Sequence, residues 1–226
     1  MAAVFRGPGL LVVLGFALLS GPAHALTVGT PDPGSGNSFP FGAVGSFPSD
    51  RYQQVYSASA FSGPITITGL QFAQTQLPGG SLNQGSFSIT LSVTSKAVNG
   101  LDLNDLDANV GPSPAAFANV ESLDDVYSGG ALHIAGAPFL YDPEAGNLLI
   151  DIQITNSSHF GPLAFFDAMN GTAADLFSSA HNFSSSAAGI FDNTGLVTAF
   201  IPEPASAGLV YAGLVALAWR ARRRTL

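Results

Sequence analysis

The chain has 226 residues, of which 46% are hydrophobic, a formal net charge of −8 and no cysteine. The lack of cysteine excludes disulfides, thiolate metal sites and cysteine catalysis. Between residues 26 and 200, Arg51 and Lys96 are the only cationic residues against fourteen Asp and Glu, a net charge of −12. Such a surface repels phosphate backbones, which argues against nucleic acid as a partner.

The N-terminus has the parts of a secretory signal peptide. Arg6 precedes an apolar stretch at residues 10–19, and Ala23-His24-Ala25 has the small-x-small pattern that signal peptidase accepts. A permanent N-terminal anchor is the alternative, but an apolar run of roughly ten residues is short for a membrane span. We therefore predict a signal peptide over residues 1–25 and export through the Sec machinery.

The mature chain is predicted to hold one domain after a short lead-in. Residues 26–50 are rich in Gly, Pro and Ser, which indicates a flexible segment. Residues 51–200 are of normal size for a single domain that buries its own core without disulfides. We predict that they form the passenger domain.

Period-two alternation dominates this passenger. Residues 86–94 alternate hydroxyl and apolar side chains, and residues 148–155 repeat the pattern after a turn signal. Residues 64–72 also alternate, but their apolar parity changes at Gly69, which predicts a β-bulge. Weaker strands are predicted at residues 52–60, 131–134, 163–167, 189–191 and 196–200. Helical character is limited to residues 101–106 and 173–180. Many short strands between turn clusters predict an all-β fold, a jelly-roll-like β-sandwich.

No motif in the passenger predicts catalysis. The mature histidines are His133, His159 and His181. They lack metal-ligand spacing, and no serine lies in a Gly-x-Ser-x-Gly motif. The paired carboxylates, Asp124-Asp125 and Asp142 with Glu144, are typical of solvated turns rather than of a glycosidase. We therefore predict a non-enzymatic protein with no catalytic residue and no cofactor.

An aspartate-rich segment is the one candidate for calcium. Asp105, Asp107 and Asn109 place oxygen atoms at alternate positions, as a calcium loop does. The EF-hand pattern fails, because Val110 stands where glycine is required and Ala116 where a bidentate Glu belongs. Turn and helix-cap hydrogen bonding is the favoured interpretation, so no metal site is predicted, and a different kind of calcium site near Asp105 stays open.

The C-terminal residues have a composition of their own. Pro202, Glu203 and Pro204 precede a run of fifteen uncharged residues, 205–219. The run ends in an arginine cluster, which consists of Arg220, Arg222, Arg223 and Arg224. At about 1.5 Å per residue the run reaches roughly 22 Å, short of a hydrocarbon core of about 30 Å. A terminal core helix is the alternative, but arginines beside the run would be costly in a core. We predict a short, temporary transmembrane helix with its end on the cytoplasmic side.

This order of parts resembles the PEP-CTERM sorting signal of Gram-negative bacteria, a tail also labelled the ice-binding protein C-terminal domain. The resemblance covers residues 201–226, with Ile201 where valine is common. It implies that an exosortase, an integral-membrane transpeptidase-like enzyme, recognises Pro202, Glu203 and Pro204 and releases the chain outward. The chain would then reside in the inner membrane only transiently.

A second resemblance concerns the passenger. Residues 52–56, 62–67 and 141–149 are similar to a recurrent passenger type of PEP-CTERM proteins, over about residues 51–155. This resemblance implies a sandwich and supplies no catalytic residues.

These features predict an exported envelope or extracellular-matrix protein linked to exopolysaccharide, biofilm or floc formation. Its expected partners are signal peptidase, the Sec machinery, an exosortase, the inner membrane before processing, and exopolysaccharide. The alternative is a secreted carbohydrate-binding module that uses Tyr52, Tyr56 and Tyr127, since jelly rolls often bind sugars through aromatic faces. A secreted hydrolase is less favoured.

Overall fold

The computed structural model describes residues 24–42, 49–170, 176–183, 188–192 and 194–203. His24–Glu203 form one compact unit. Among the described residues the strands are β1 (Leu26–Val28), β2 (Gly36–Asn37), β3 (Arg51–Tyr56), β4 (Ile65–Ala73), β5 (Ser86–Thr94), β6 (Ala115–Val120), β7 (Tyr127–Ser128), β8 (Ala131–Tyr141), β9 (Asn147–Thr155), β10 (Phe166–Asn170), β11 (Phe177–Asn182), β12 (Gly189–Asp192), β13 (Thr194–Leu196) and β14 (Thr198–Pro202). Short 3-10 turns lie at Ala58–Ala60, Leu106–Asn109, Leu123–Asp125 and Pro143–Ala145.

The strands form three antiparallel sheets. The five-stranded sheet has the order β1-β14-β4-β8-β7, the six-stranded sheet β12-β11-β3-β9-β5-β6, and the three-stranded sheet β13-β10-β2. One core cluster joins Leu70 and Phe200 of the five-stranded sheet to Phe87 and Ile150 of the six-stranded sheet. The two larger sheets therefore pack in a sandwich-like arrangement, and the predicted all-β class is confirmed.

The clearest sequence patterns place their apolar side chains as predicted, but some of the alternating polar ones, Ser92 of β5 and Asp151 of β9, are buried rather than exposed. In β5, Phe87 and Ile89 are buried in the core while Ser88 is exposed. In β4 the register against β8 shifts between Ile67 and Gly69. This bulge is the one predicted from the parity change, and it lets Ile67 and residues beyond Gly69 face the same core.

The borders of the passenger differ from the predicted ones. Residues 26–50, predicted as a flexible lead-in, contribute β1 and β2, and Leu26 pairs with Phe200. The last strand passes the predicted border at residue 200 and continues to Pro202. The passenger therefore needs its lead-in to complete the five-stranded sheet.

The outer face of the six-stranded sheet is covered by the connection between β5 and β6, residues 95–114, which we call the aspartate-rich loop. Its Leu101 and Leu106 pack with Val55, Leu149 and Ala180 in a second apolar cluster. This sheet is therefore buried on both faces at its centre.

The register of the five-stranded sheet defines two ends of the sandwich. At one end Pro202 pairs with Ile67 of β4, and we call it the exit end because β14 finishes there. At the other end Ala73 of β4 pairs with Ala131, close to β7. Ile67 and Ala73 are six residues apart along β4, so the two ends are about 20 Å apart.

Candidate ligand-binding groove

The predicted sorting tripeptide begins inside the five-stranded sheet. Pro202 is the last residue of β14, and the Glu203 backbone N–H donates to the Thr66 carbonyl oxygen at 2.9 Å. The Thr68 hydroxyl donates to the carbonyl oxygen of Ile201 at 3.2 Å. The first two residues of the tripeptide are thus held by the passenger.

The rest of the predicted sorting signal lies outside the described residues. These positions are Pro204, the apolar run 205–219 and the arginines Arg220, Arg222, Arg223 and Arg224. In the described ranges, no helix has the length and apolar character needed to cross a membrane.

The acidic side chains of the aspartate-rich loop are used in local hydrogen bonds. The Asp105 carboxylate accepts from the backbone N–H groups of Asp107 and Ala108, at 3.0 and 3.3 Å, and so caps the 3-10 turn Leu106–Asn109. Asp107 pairs with Arg51 at 2.6 Å. Across the described part of the chain, no three His, Asp or Glu side chains are grouped to hold a metal ion.

The three histidines occupy different environments. His133 is exposed, and His159 Nε2 lies 3.3 Å from the Pro162 carbonyl oxygen. His181 lies in β11 and is 6% exposed. Its ring stacks on Phe39 with centroids 4.0 Å apart, and its Nδ1 has no hydrogen-bond partner among the described residues. Burial lowers the pKa of His181, with a smaller opposing effect of Asp192.

The structure separates the three tyrosines considered for sugar binding. Tyr52 and Tyr56 are buried in the core, where desolvation raises the pKa of both. The prediction that Tyr52 and Tyr56 contact a sugar is therefore wrong. Tyr127 is half-buried and lines a groove at the end of the sandwich opposite to the exit end.

This groove, which we call the Phe160 groove, has a volume of about 560 Å³. Its polar and aromatic lining consists of Ser81, Gln84, Asp124, Tyr127, Ser158 and Phe160. Asp124 and Tyr127 come from the connection that leads into β8, while the other four come from the segments before β5 and after β9. The groove therefore lies where both larger sheets end.

One buried amide holds two walls of the Phe160 groove together. Asn83 is fully buried, and its Oδ1 accepts from Gly85 N at 3.0 Å, Ser157 Oγ at 3.2 Å and Ser158 N at 3.3 Å. The Gln84 backbone N–H adds a bond of 2.9 Å to the Ser158 carbonyl oxygen. The lining residues Gln84 and Ser158 are thus fixed relative to each other.

The turn after Phe160 is fixed as well. Ser81 N donates to the Pro162 carbonyl oxygen at 2.7 Å, and Ala164 N donates to the Ser81 carbonyl oxygen at 3.2 Å. Gly161 has a φ of +106°, and a Cβ there would lie 2.8 Å from Ser81 Oγ. Because only glycine suits this position, Gly161 sets the turn that presents Phe160.

The third wall is held through Tyr127. Its hydroxyl donates to the Oε1 of Gln74, a side chain that is 3% exposed. The Gln74 amide in turn donates to the carbonyl oxygens of Gly79 and Phe165, both at 3.2 Å. The tyrosine ring is therefore anchored to the segment that leads into the groove.

The Phe160 groove combines one exposed aromatic ring with hydrogen-bonding groups. Phe160 is 82% exposed, and Asp124 and Gln84 are also exposed. None of the described lining residues is cationic. The sequence analysis considered Asp124 and Tyr127 but did not identify Phe160 and Gln84. The local signal for Phe160 is no more than a single aromatic residue within a turn.

A second groove, of about 720 Å³, lies near the exit end and differs in chemistry. It is lined largely by apolar groups, among them Val110, Pro112, Phe139 and Leu140. Leu140 is 70% exposed. This surface has few polar side chains to orient a ligand, and it supplies a control position for the Phe160 groove.

Comparisons with protein-family models, with curated proteins and with solved structures gave no match.

Proposed function

We propose that this chain is an exported, non-enzymatic protein of the cell envelope or extracellular matrix, linked to exopolysaccharide, biofilm or floc formation. Its jelly-roll-like passenger is delivered by the Sec machinery and signal peptidase. An exosortase then recognises Pro202, Glu203 and Pro204 while the C-terminal helix holds the chain in the inner membrane.

The position of β14 carries this proposal. The strand lies between β1 and β4, and it is the last element of the compact unit that ends at Glu203. The compact unit therefore ends just before the uncharged run, which the arginine cluster follows in the sequence. A tail that follows a finished domain suits a sorting handle that can be removed without loss of the fold.

The charge of the passenger supports an extracellular role over a role with nucleic acid. The net charge of −12 between residues 26 and 200 favours solubility and repels polyanions. The carbohydrate-binding alternative is supported by the Phe160 groove, whereas no arrangement in the described residues favours the hydrolase alternative.

The proposal is tested in the native bacterium with the full chain. We expect that replacement of Pro202, Glu203 and Pro204 by alanine leaves unprocessed protein in the inner membrane. The matched control is the exposed tripeptide Pro112-Ser113-Pro114, replaced by alanine in the same way. Fractionation with immunoblotting measures size and location. Processing and release of the first variant at the wild-type level would overturn the proposal.

A further inference from the structure

The exposure of Phe160 is unusual for a ring held by a structured turn. At 82% exposure the ring keeps most of its apolar surface in water, although burial of such a side chain is worth about 1.5–3 kcal/mol. Scattered exposed apolar residues need no explanation by themselves. Phe160, however, stands in a concave groove beside Asp124 and Gln84, where an exposed ring suits contact with a ligand.

The polar groups around this ring match a ligand rich in hydroxyl groups. The Asp124 carboxylate accepts hydrogen bonds, the Gln84 amide both donates and accepts, and the hydroxyls of Ser81 and Ser158 do both. A sugar ring presents hydroxyls at its rim and C–H groups on its faces. An aromatic ring flanked by such side chains therefore complements a sugar, with the C–H face against Phe160.

The charge of the groove selects among sugars. Asp124 is the one charged side chain among the described lining residues, and it is negative. The passenger as a whole is strongly acidic, and its two cations lie elsewhere: Arg51 pairs with Asp151 and Asp107, while Lys96 lies 4.0 Å from Asp102. An acidic polysaccharide would be repelled, so a neutral one is favoured.

The walls of the groove are already arranged for binding. Asn83 fixes the two segments that carry Gln84 and Ser158, and Gln74 fixes Tyr127. Preorganised side chains lose little conformational entropy when a ligand binds, which improves affinity.

The groove also lies at the end of the sandwich opposite to the exit end. Tyr127 pairs with Leu132 near one end of β8, whereas Pro202 pairs with Ile67 near the other end of β4. Leu132 pairs with Phe72 of β4, so these two points lie five residues apart along β4, about 17 Å.

We infer that the Phe160 groove binds a neutral polysaccharide, with a sugar ring stacked on Phe160 and its hydroxyls bonded by Asp124, Gln84 and the serines. The inference rests on the proposed function for its choice of an extracellular ligand, and it deepens that function by naming the class of polysaccharide.

The test uses the full-length protein purified in detergent. Retardation in native gels is measured with three neutral polysaccharides, a soluble β-glucan, dextran and galactomannan, and with alginate as an anionic one. We expect retardation by at least one neutral polysaccharide and none by alginate. Retardation by alginate alone, or by none of the four, would overturn the inference.

Two variants locate the binding site. Phe160→Ala should weaken binding at least tenfold, and Gln84→Ala should weaken it severalfold. Leu140→Ala removes a similarly exposed apolar side chain near the exit end and should leave binding unchanged. Circular dichroism and melting temperature show whether each variant is folded. Equal effects of Phe160→Ala and Leu140→Ala would contradict the assignment.

The outcome is independent of the sorting experiment. Polysaccharide binding by purified protein does not require an exosortase, and release of the chain from the membrane does not require an intact groove. If sorting fails while binding persists, the delivery route is wrong and the ligand class stands. If binding fails while sorting persists, the proposed ligand class is wrong and the delivery route stands.

Discussion

Tyr56 and Thr198 share a hydrogen bond of 2.7 Å between their hydroxyl oxygens, across the interior of the sandwich. Tyr56 belongs to β3 of the six-stranded sheet and Thr198 to β14 of the five-stranded sheet. Both side chains are fully buried. The last strand is therefore tied to the opposite sheet by a polar contact as well as by its backbone pairing.

This hydrogen bond gives the first prediction. Thr198→Val should lower the free energy of unfolding by about 1–3 kcal/mol, because it leaves the buried Tyr56 hydroxyl without its partner. Tyr56→Phe combined with Thr198→Val should cost less than the sum of the single changes, since neither group is then unpaired. Urea unfolding followed by circular dichroism measures both effects. Strict additivity would argue against the bond.

The second prediction concerns the length of chain that the passenger requires. A stop codon after Glu203 should give a folded protein that unfolds cooperatively. A stop codon after Val197 removes β14 together with Phe200, which is fully buried and contacts Tyr56 and Phe61 with ring centroids 5.0 and 5.3 Å apart. Loss of a buried phenylalanine side chain alone costs about 3–5 kcal/mol.

The shorter protein should therefore lack a cooperative thermal transition. Both proteins are made without residues 1–25, and calorimetry compares them. A cooperative transition in the shorter protein at the temperature of the longer one would show that β14 is dispensable.

The strands that could be predicted from the sequence are those with one face against the core and the other face in water. In the first half of β5, the alternation of buried Phe87 and Ile89 with exposed Ser88 shows this contrast directly. In β11 the contrast is absent, because Phe177–Asn182 is buried on both sides and polar residues such as Ser179 and His181 face inward. The sequence analysis predicts helical character at residues 173–180, but those within β11 form a strand.

The groove was less predictable than the strands. Its walls come from segments far apart in the sequence, and the residue that joins two of them, Asn83, has no local signature. Tyr52 and Tyr56 were predicted to bind a sugar because they are aromatic residues at alternating positions, but core residues show the same pattern. Exposure distinguishes Phe160 from them, and exposure depends on the tertiary fold.

The third prediction follows from His181. Burial holds the pKa of His181 below its ordinary value of 6.5 in the folded protein, whereas the unfolded chain titrates normally. On acidification below about pH 6.5 the unfolded state binds a proton that the folded state resists, so stability falls until the pH passes the folded pKa. Asp192 opposes this effect but does not reverse it.

His181→Phe should therefore flatten the loss of stability between pH 7 and 5. It should also raise the free energy of unfolding at pH 7 by about 1 kcal/mol, because it removes a buried Nδ1 that lacks a hydrogen-bond partner in the described part of the chain. His133→Phe, at an exposed position, is the control and should keep the wild-type slope. Urea unfolding at several pH values measures the slopes, and identical slopes in all three proteins would refute the prediction.

The fourth prediction concerns the ion pair beneath the aspartate-rich loop. Arg51 Nε lies 2.8 Å from Asp151 Oδ1 and Nη2 lies 3.0 Å from Oδ2, and Asp151 is 4% exposed. Asp151→Ala should cost about 3–5 kcal/mol, because it leaves the Arg51 charge partly buried without this partner. Asp107→Ala removes the exposed partner of the same arginine and should cost at most about 1 kcal/mol. Guanidinium unfolding compares them, and similar losses would contradict the ranking.

The last prediction concerns calcium. The Asp105 carboxylate accepts two backbone N–H groups, Asp107 pairs with Arg51, and among the described residues no three His, Asp or Glu side chains are grouped to hold an ion. Millimolar calcium should therefore leave the melting temperature unchanged, whereas a ligand at one hundred times its Kd would stabilise the fold by about 2.7 kcal/mol. Asp105→Ala should cost about 1 kcal/mol through loss of the cap, equally with calcium and with EDTA. A calcium-dependent rise in the wild type that Asp105→Ala abolishes would establish a site, because loss of a cap alone does not depend on the ion.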